Sequence, residues 1–162
     1  MKTFIHILFG LVVSLILAAT PAHAQQPAGK LESTLTEPDS DIMELVGLLA
    51  STHLYQTYLN IGFIADARSD ETLTTAEAEE VLQSVIIPLE KIDTKLDKLA
   101  KRLKKKDDLA ALDDLRKISA LLRREASELK AFWATEKAAD GDKYEATRKD
   151  AWKRLSKLLM LE

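Results

Sequence analysis

From Thr74 onward, apolar positions return with the period of a helix. Leu82, Val85, Leu89, Ile92, Leu96, Leu99 and Leu103 follow one another at spacings of three and four. Such a row stays on one side of a helix turn after turn, and no strand can use it. Thr74-x-x-Glu77 precedes the row as a capping box, in which the threonine oxygen accepts an early amide proton and the glutamate reaches back to the cap amide. Pro88 lies inside the row and cannot donate to the carbonyl of Ser84, so a kink is expected there while the stripe continues.

A second row runs through Leu112, Leu115, Ser119, Leu122, Ala126, Leu129 and Trp133, widened by Ile118, Leu121 and Phe132. The pattern predicts an amphipathic, core-facing helix. Ala138-Ala139-Asp140-Gly141 is expected to end it, with Gly141 taking the left-handed conformation of a helix terminus. Asp142-x-x-Glu145 is then expected to open a last helix whose stripe is Tyr144, Ala151, Trp152, Leu155, Leu158 and Leu159. Between the two central helices, Lys104-Lys105-Lys106 meets Asp107-Asp108, cations at one C-terminus and anions at the next N-terminus, as helix dipoles favour. A tight hairpin follows from that reading. Its alternative is one continuous helix from Thr74 to Glu136.

The first helix is expected to begin at Asp39 or Ser40, after Pro38, and to run to about Arg68. Its core face is ambiguous. Ile42, Val46, Leu49, His53, Gln56, Asn60 and Ile64 share one side at about 100° per residue, while Leu48, Tyr55, Tyr58, Leu59 and Gly62 make a second apolar side. Four amphipathic helices with short polar turns close most economically into an all-α, antiparallel up-down-up-down four-helix bundle. A long helical hairpin that buries its stripe against a second copy is the alternative.

The chain opens with Lys2, an apolar run from Phe4 to Ala19, then Pro21 and Ala22-His23-Ala24. That is the sequence of a signal peptide, residues 1–24, with cleavage expected after Ala24 and export to the periplasm or beyond. Residues 25–38 read as a polar, Pro-punctuated lead-in, which leaves 39–162 as one helical domain. The only charge lost with the leader is Lys2, so 22 basic and 26 acidic side chains remain, a balance that does not suit nucleic acid. Cysteine is absent, which excludes disulfides, thiol catalysis and zinc-thiolate sites.

Chemistry is sparse. His53 is the only histidine after residue 24, so neither a di-iron carboxylate bundle nor a metal site of several imidazoles is expected. No nucleophile elbow or phosphate-cradling glycine loop occurs, and the carboxylates, Glu125 between Arg124 and Ala126 included, read as solvated outer faces. No cofactor is implied, and the protein is read as non-enzymatic. Two sets of residues stand out as candidate sites. His53, Tyr55, Gln56 and Asn60 make a polar stretch on the first helix that would either fix helix register or line a pocket for a small ligand or metal. Lys101, Arg102, Lys104, Lys105 and Lys106 make a basic cluster that would either be a solvated helix end or touch an anionic membrane surface. The function expected is contact with another envelope protein or a second copy of the chain, as an adaptor, sensor partner or stress-response factor; a small-ligand bundle with a pocket near His53 is the alternative.

Overall fold

The computed structural model describes residues 40–161, all within one unit spanning Leu35–Glu162. The expected signal peptide and lead-in lie outside the described residues. The fold is an all-α four-helix bundle, made of α1 (Ser40–Ser69), α2 (Thr75–Ala100), α3 (Lys106–Thr135) and α4 (Ala138–Leu158). Each exists for a reason visible in its own residues. Thr74 caps α2 in extended backbone: its Oγ1 accepts from the Glu77 amide at 3.3 Å, while Glu77 Oε2 accepts from the Thr74 amide at 2.9 Å. We expect Thr74→Ala to cost about 1 kcal/mol, read as a lower denaturant midpoint at unchanged m-value. The helix continues through Pro88.

The central helices are separate. Residues 101–105 leave helical hydrogen bonding, and Leu103, only 7% exposed, pins the connector into the core. Asp107 and Asp108 sit in the first turn of α3, on its positive dipole end. The α3–α4 boundary corrects the expectation. Glu136 itself takes the left-handed conformation (φ 55°) and ends α3, so α4 starts four residues before Asp142, and no glycine among the described residues has positive φ. The junction is tied by side chains instead. The Thr135 hydroxyl donates to Asp140 Oδ2 at 2.8 Å, and Lys143 Nζ donates to Asp140 Oδ1 at 2.7 Å. Gly141 serves packing: a Cβ there would sit 3.3 Å from Phe132 Cε2, tighter than ordinary contact, so its absence lets α4 lie against that ring.

Packing puts α3 at the centre. It packs most extensively on α4 and, like α1, touches each of the other helices, whereas α2 and α4 do not meet and flank the α1–α3 pair. Ion pairs Asp97–Arg116, Asp93–Arg123 and Glu79–Lys130 link α2 to α3 with residue numbers falling on one helix as they rise on the other. Ile61, Leu82, Leu89, Leu112, Ile118, Leu122, Leu129 and Leu155 are fully buried, each contributing roughly 2 kcal/mol of transfer free energy.

On α1 the core face lies between the two sides anticipated, sharing only Ile64 with the first and Gly62 with the second. Ala50, Leu54, Thr57, Ile61 and Ile64 are buried, at spacings of four, three, four and three. They lie between those sides, so each anticipated side becomes a flank. One flank, with Val46 and Leu49, faces Ile92 and Leu96 of α2; the other, with Tyr55 and Tyr58, meets Trp152 of α4.

Candidate functional site

Two apolar rows each carry one charged residue, and the fold brings the two charges together. On α3 the row is Leu115, Ile118, Leu122, Glu125 and Leu129; on α4 it is Tyr144, Arg148, Ala151 and Leu155. Glu125 has no exposed surface, and its Oε1 accepts from Arg148 Nη1 at 2.7 Å. The same Nη1 reaches the Tyr58 carbonyl oxygen at 3.4 Å, and the guanidinium carbon stands 4.3 Å above the centre of the Tyr58 ring. Tyr58 in turn stacks on Trp152 at 5.6 Å and 29°, with Tyr55 tilted against the same indole at 6.4 Å.

Gly62 makes this crossing fit. A Cβ at that position would collide with Arg148 Nη2 and stand 3.1 Å from its Cζ. Because Glu125 and Tyr58 hold the guanidinium, it cannot swing away freely. Alanine would gain about 1 kcal/mol of helix propensity but displace the ion pair. We therefore expect Gly62→Ala to destabilise by about 2 kcal/mol in the native chain and to stabilise by about 1 kcal/mol in an Arg148→Ala background. Denaturant titration of the four proteins of that cycle reads the change of sign directly.

Electrostatically the pair is unequal. Burial pushes the Glu125 carboxyl up to about 7, against the lowering pull of the Arg148 hydrogen bond and charge, with Glu145 and Glu128 adding to the rise. Its second oxygen, Oε2, is buried and has no hydrogen-bond partner. Burial likewise raises Tyr144, to about 12, and Tyr58. Glu125 thus corrects the sequence reading, which left it on a solvated face. Arg123 and Arg124 do belong outside, pairing with Asp93 and Glu128. Glu125 is wholly enclosed, while Arg148 is partly exposed and lines the cleft next to it.

Beside it opens a cleft of about 460 Å³ between the ends of α1 and α3 and the start of α4, with Phe132, Trp133 and Tyr144 in its wall and Asp66, Arg68 and Glu145 at its margin. A second opening, of about 340 Å³, is a groove between the first half of α1 and the second half of α2. Val46, Leu49, Ala50, Ile92 and Leu96 line it, and Lys91 and Lys95 stand on its α2 wall. The α1 ridge above the groove is open to solvent to an unusual degree: Ile42 is 54% exposed, Leu45 54%, Leu48 63% and Leu49 61%. These four large aliphatics within eight residues are a contiguous apolar patch, the kind of surface that marks a contact site.

The anticipated site residues divide. His53 is half-buried, its Nε2 enclosed and without a hydrogen-bond partner; Gln56 and Asn60, on the same flank, are exposed. Tyr55 lies on the opposite flank, against Trp152. The four therefore do not face a common space. Lys101, Arg102, Lys104, Lys105 and Lys106 are all exposed at the α2–α3 connector and the start of α3. Among the described residues no three His, Cys, Asp or Glu side chains converge as metal ligands, and no helix is long and apolar enough to cross a membrane. Comparison with known proteins gives no match to a family model, a curated protein or a solved structure.

Proposed function

We propose that this chain is an exported, non-enzymatic helical bundle that acts by protein–protein contact, and that its working surface is the groove and ridge formed by the first half of α1 with the second half of α2. The observation that carries the reading is the exposure, beyond one half, of Ile42, Leu45, Leu48 and Leu49. Leucines that the fold does not use cost solubility, and a partner that covers them recovers roughly 25 cal/mol per Å² of apolar surface. An up-down-up-down course, which the opposed numbering of the α2–α3 ion pairs supports, places the start of α1 beside the end of α2, where the groove lies.

A surface reserved for contact can be altered without harming the fold. Leu45→Ser with Leu49→Ser is expected to shift stability by no more than about 0.5 kcal/mol, in contrast to the roughly 2 to 5 kcal/mol that a buried leucine such as Leu122 would lose on truncation to alanine. The functional test is cross-linking in the host cell from a photoreactive amino acid at position 49, with position 149 on the outer face of α4 as control. A discrete protein adduct from position 49 alone is the expected result; adducts from neither position would defeat the proposal.

A further inference from the structure

Resting on that contact reading, we infer that the occupant of the α1–α2 groove is an amphipathic helix of another protein, with acidic residues along the flank that meets α2. The groove has two unlike walls. One is aliphatic, from Val46, Leu49 and Ala50 of α1; the other adds Lys91 and Lys95 to Ile92 and Leu96 of α2. Lys91 and Lys95, four residues apart, stand exposed on the groove wall, and exposed Lys98 continues their row beyond it.

The charge around this wall is one-sided. Residues 91–106 hold eight Lys or Arg and only two acids, Asp93 and Asp97. Both acids turn to α3, where they pair with Arg123 and Arg116. An apolar trough with one basic wall selects a helix whose leucine-type anchors recur at i, i+3, i+4 and i+7 and whose carboxylates lie to one side of them. Charge of this kind sets partner choice and encounter rate more than raw affinity.

The same charge argues against a second copy. An isologous interface brings one patch against itself, so two stretches of net charge +6 would meet, with only Asp41 and Glu44 on the exposed start of α1 to offset them. An anionic bilayer would answer the lysines, but a flat surface does not fill a trough of about 340 Å³.

The test uses the protein purified from its host and two synthetic helical peptides of about five turns, identical in their leucine row and carrying either glutamates or lysines on the flank. Fluorescence anisotropy at low salt is expected to show the glutamate peptide binding at least about tenfold tighter, a preference that shrinks as added salt shortens the screening length toward about 3 Å. Lys91→Glu with Lys95→Glu should reverse the preference, and Leu49→Asp should weaken both peptides. Lys91→Gln with Lys95→Gln should erase the preference while the protein keeps its melting temperature. Equal binding of both peptides overturns the inference, as does self-association that excludes them. Co-sedimentation with phosphatidylglycerol vesicles in place of peptide binding also overturns it. If position 49 still cross-links to a protein under any of these outcomes, the contact reading stands and only the partner's chemistry is wrong.

Discussion

Arg148→Ala is expected to remove about 3 to 5 kcal/mol of stability at pH 8, the scale observed when one member of a buried ion pair is deleted. Three losses combine in that figure. Glu125 keeps a carboxylate with no exposed surface and loses the donor at 2.7 Å. Tyr58 loses the cation above its ring, an interaction of about 0.5 to 2 kcal/mol. The space beside Gly62 is left without its guanidinium. The cost should shrink at pH 5.5, because a Glu125 that has taken up a proton no longer leaves a bare charge in the interior. Replacing both partners with apolar residues of similar volume, Glu125→Leu with Arg148→Met, is expected to restore stability to within about 1 kcal/mol of the native chain or to exceed it. Equal losses for Arg148→Ala at the two pH values would show that Glu125 does not titrate between them.

Acidification from pH 8 to 5 is expected to stabilise the native protein. The Glu125 carboxyl stands at about 7 in the fold and near 4.5 in the unfolded chain. Between those values the folded state holds more protons than the unfolded one, so stability rises as pH falls. Above pH 7 both states are ionised and the full penalty of the buried charge is present; below 4.5 both are protonated and no further gain follows. A separation of that size corresponds to about 3 kcal/mol at most. Opposing it are Glu77, Asp113 and Asp140. Hydrogen bonds from Thr74, Lys117 and Lys143 respectively hold these carboxyls below their usual range. Stability from those groups is lost only as pH falls through their lowered values, and all three are solvated, where such interactions are weak. Thermal melts across the range should therefore rise to a maximum near pH 5. Glu125→Gln should flatten the climb, and a native melting temperature that is constant from pH 8 to 5 would contradict the assignment.

What the sequence displayed and what it hid follow from where each residue spends its surface. The rows of α2 and α3 were legible because leucine at spacings of three and four has one stable outcome. The capping box at Thr74 was legible because its two hydrogen bonds are local. On α1, Ala50 and Thr57 hold core positions yet weigh little in a hydrophobic count beside the larger side chains on the flanks. Gly141 was assigned to a helix end by its freedom at positive φ, whereas it is needed for the approach of Phe132. Lone charges on apolar rows were the signal missed: Glu125 among leucines and Arg148 among Tyr144, Ala151 and Leu155. Each looks like a defect by itself. Their meeting depends on how α4 lies on α3, which no single row discloses. The groove was hidden for the converse reason, since a row of leucines reads as core whether or not a neighbour covers it.

Because α3 lies against every other helix and packs most extensively on α4, the amides of its middle turns should be the last to trade protium for deuterium, opening only when the entire domain does. The first turns of α1, whose aliphatic side chains face water, should open earlier and independently. The end of the molecule proposed for docking is thus also the end expected to yield first, and a bound partner would slow isotope uptake there before anywhere else.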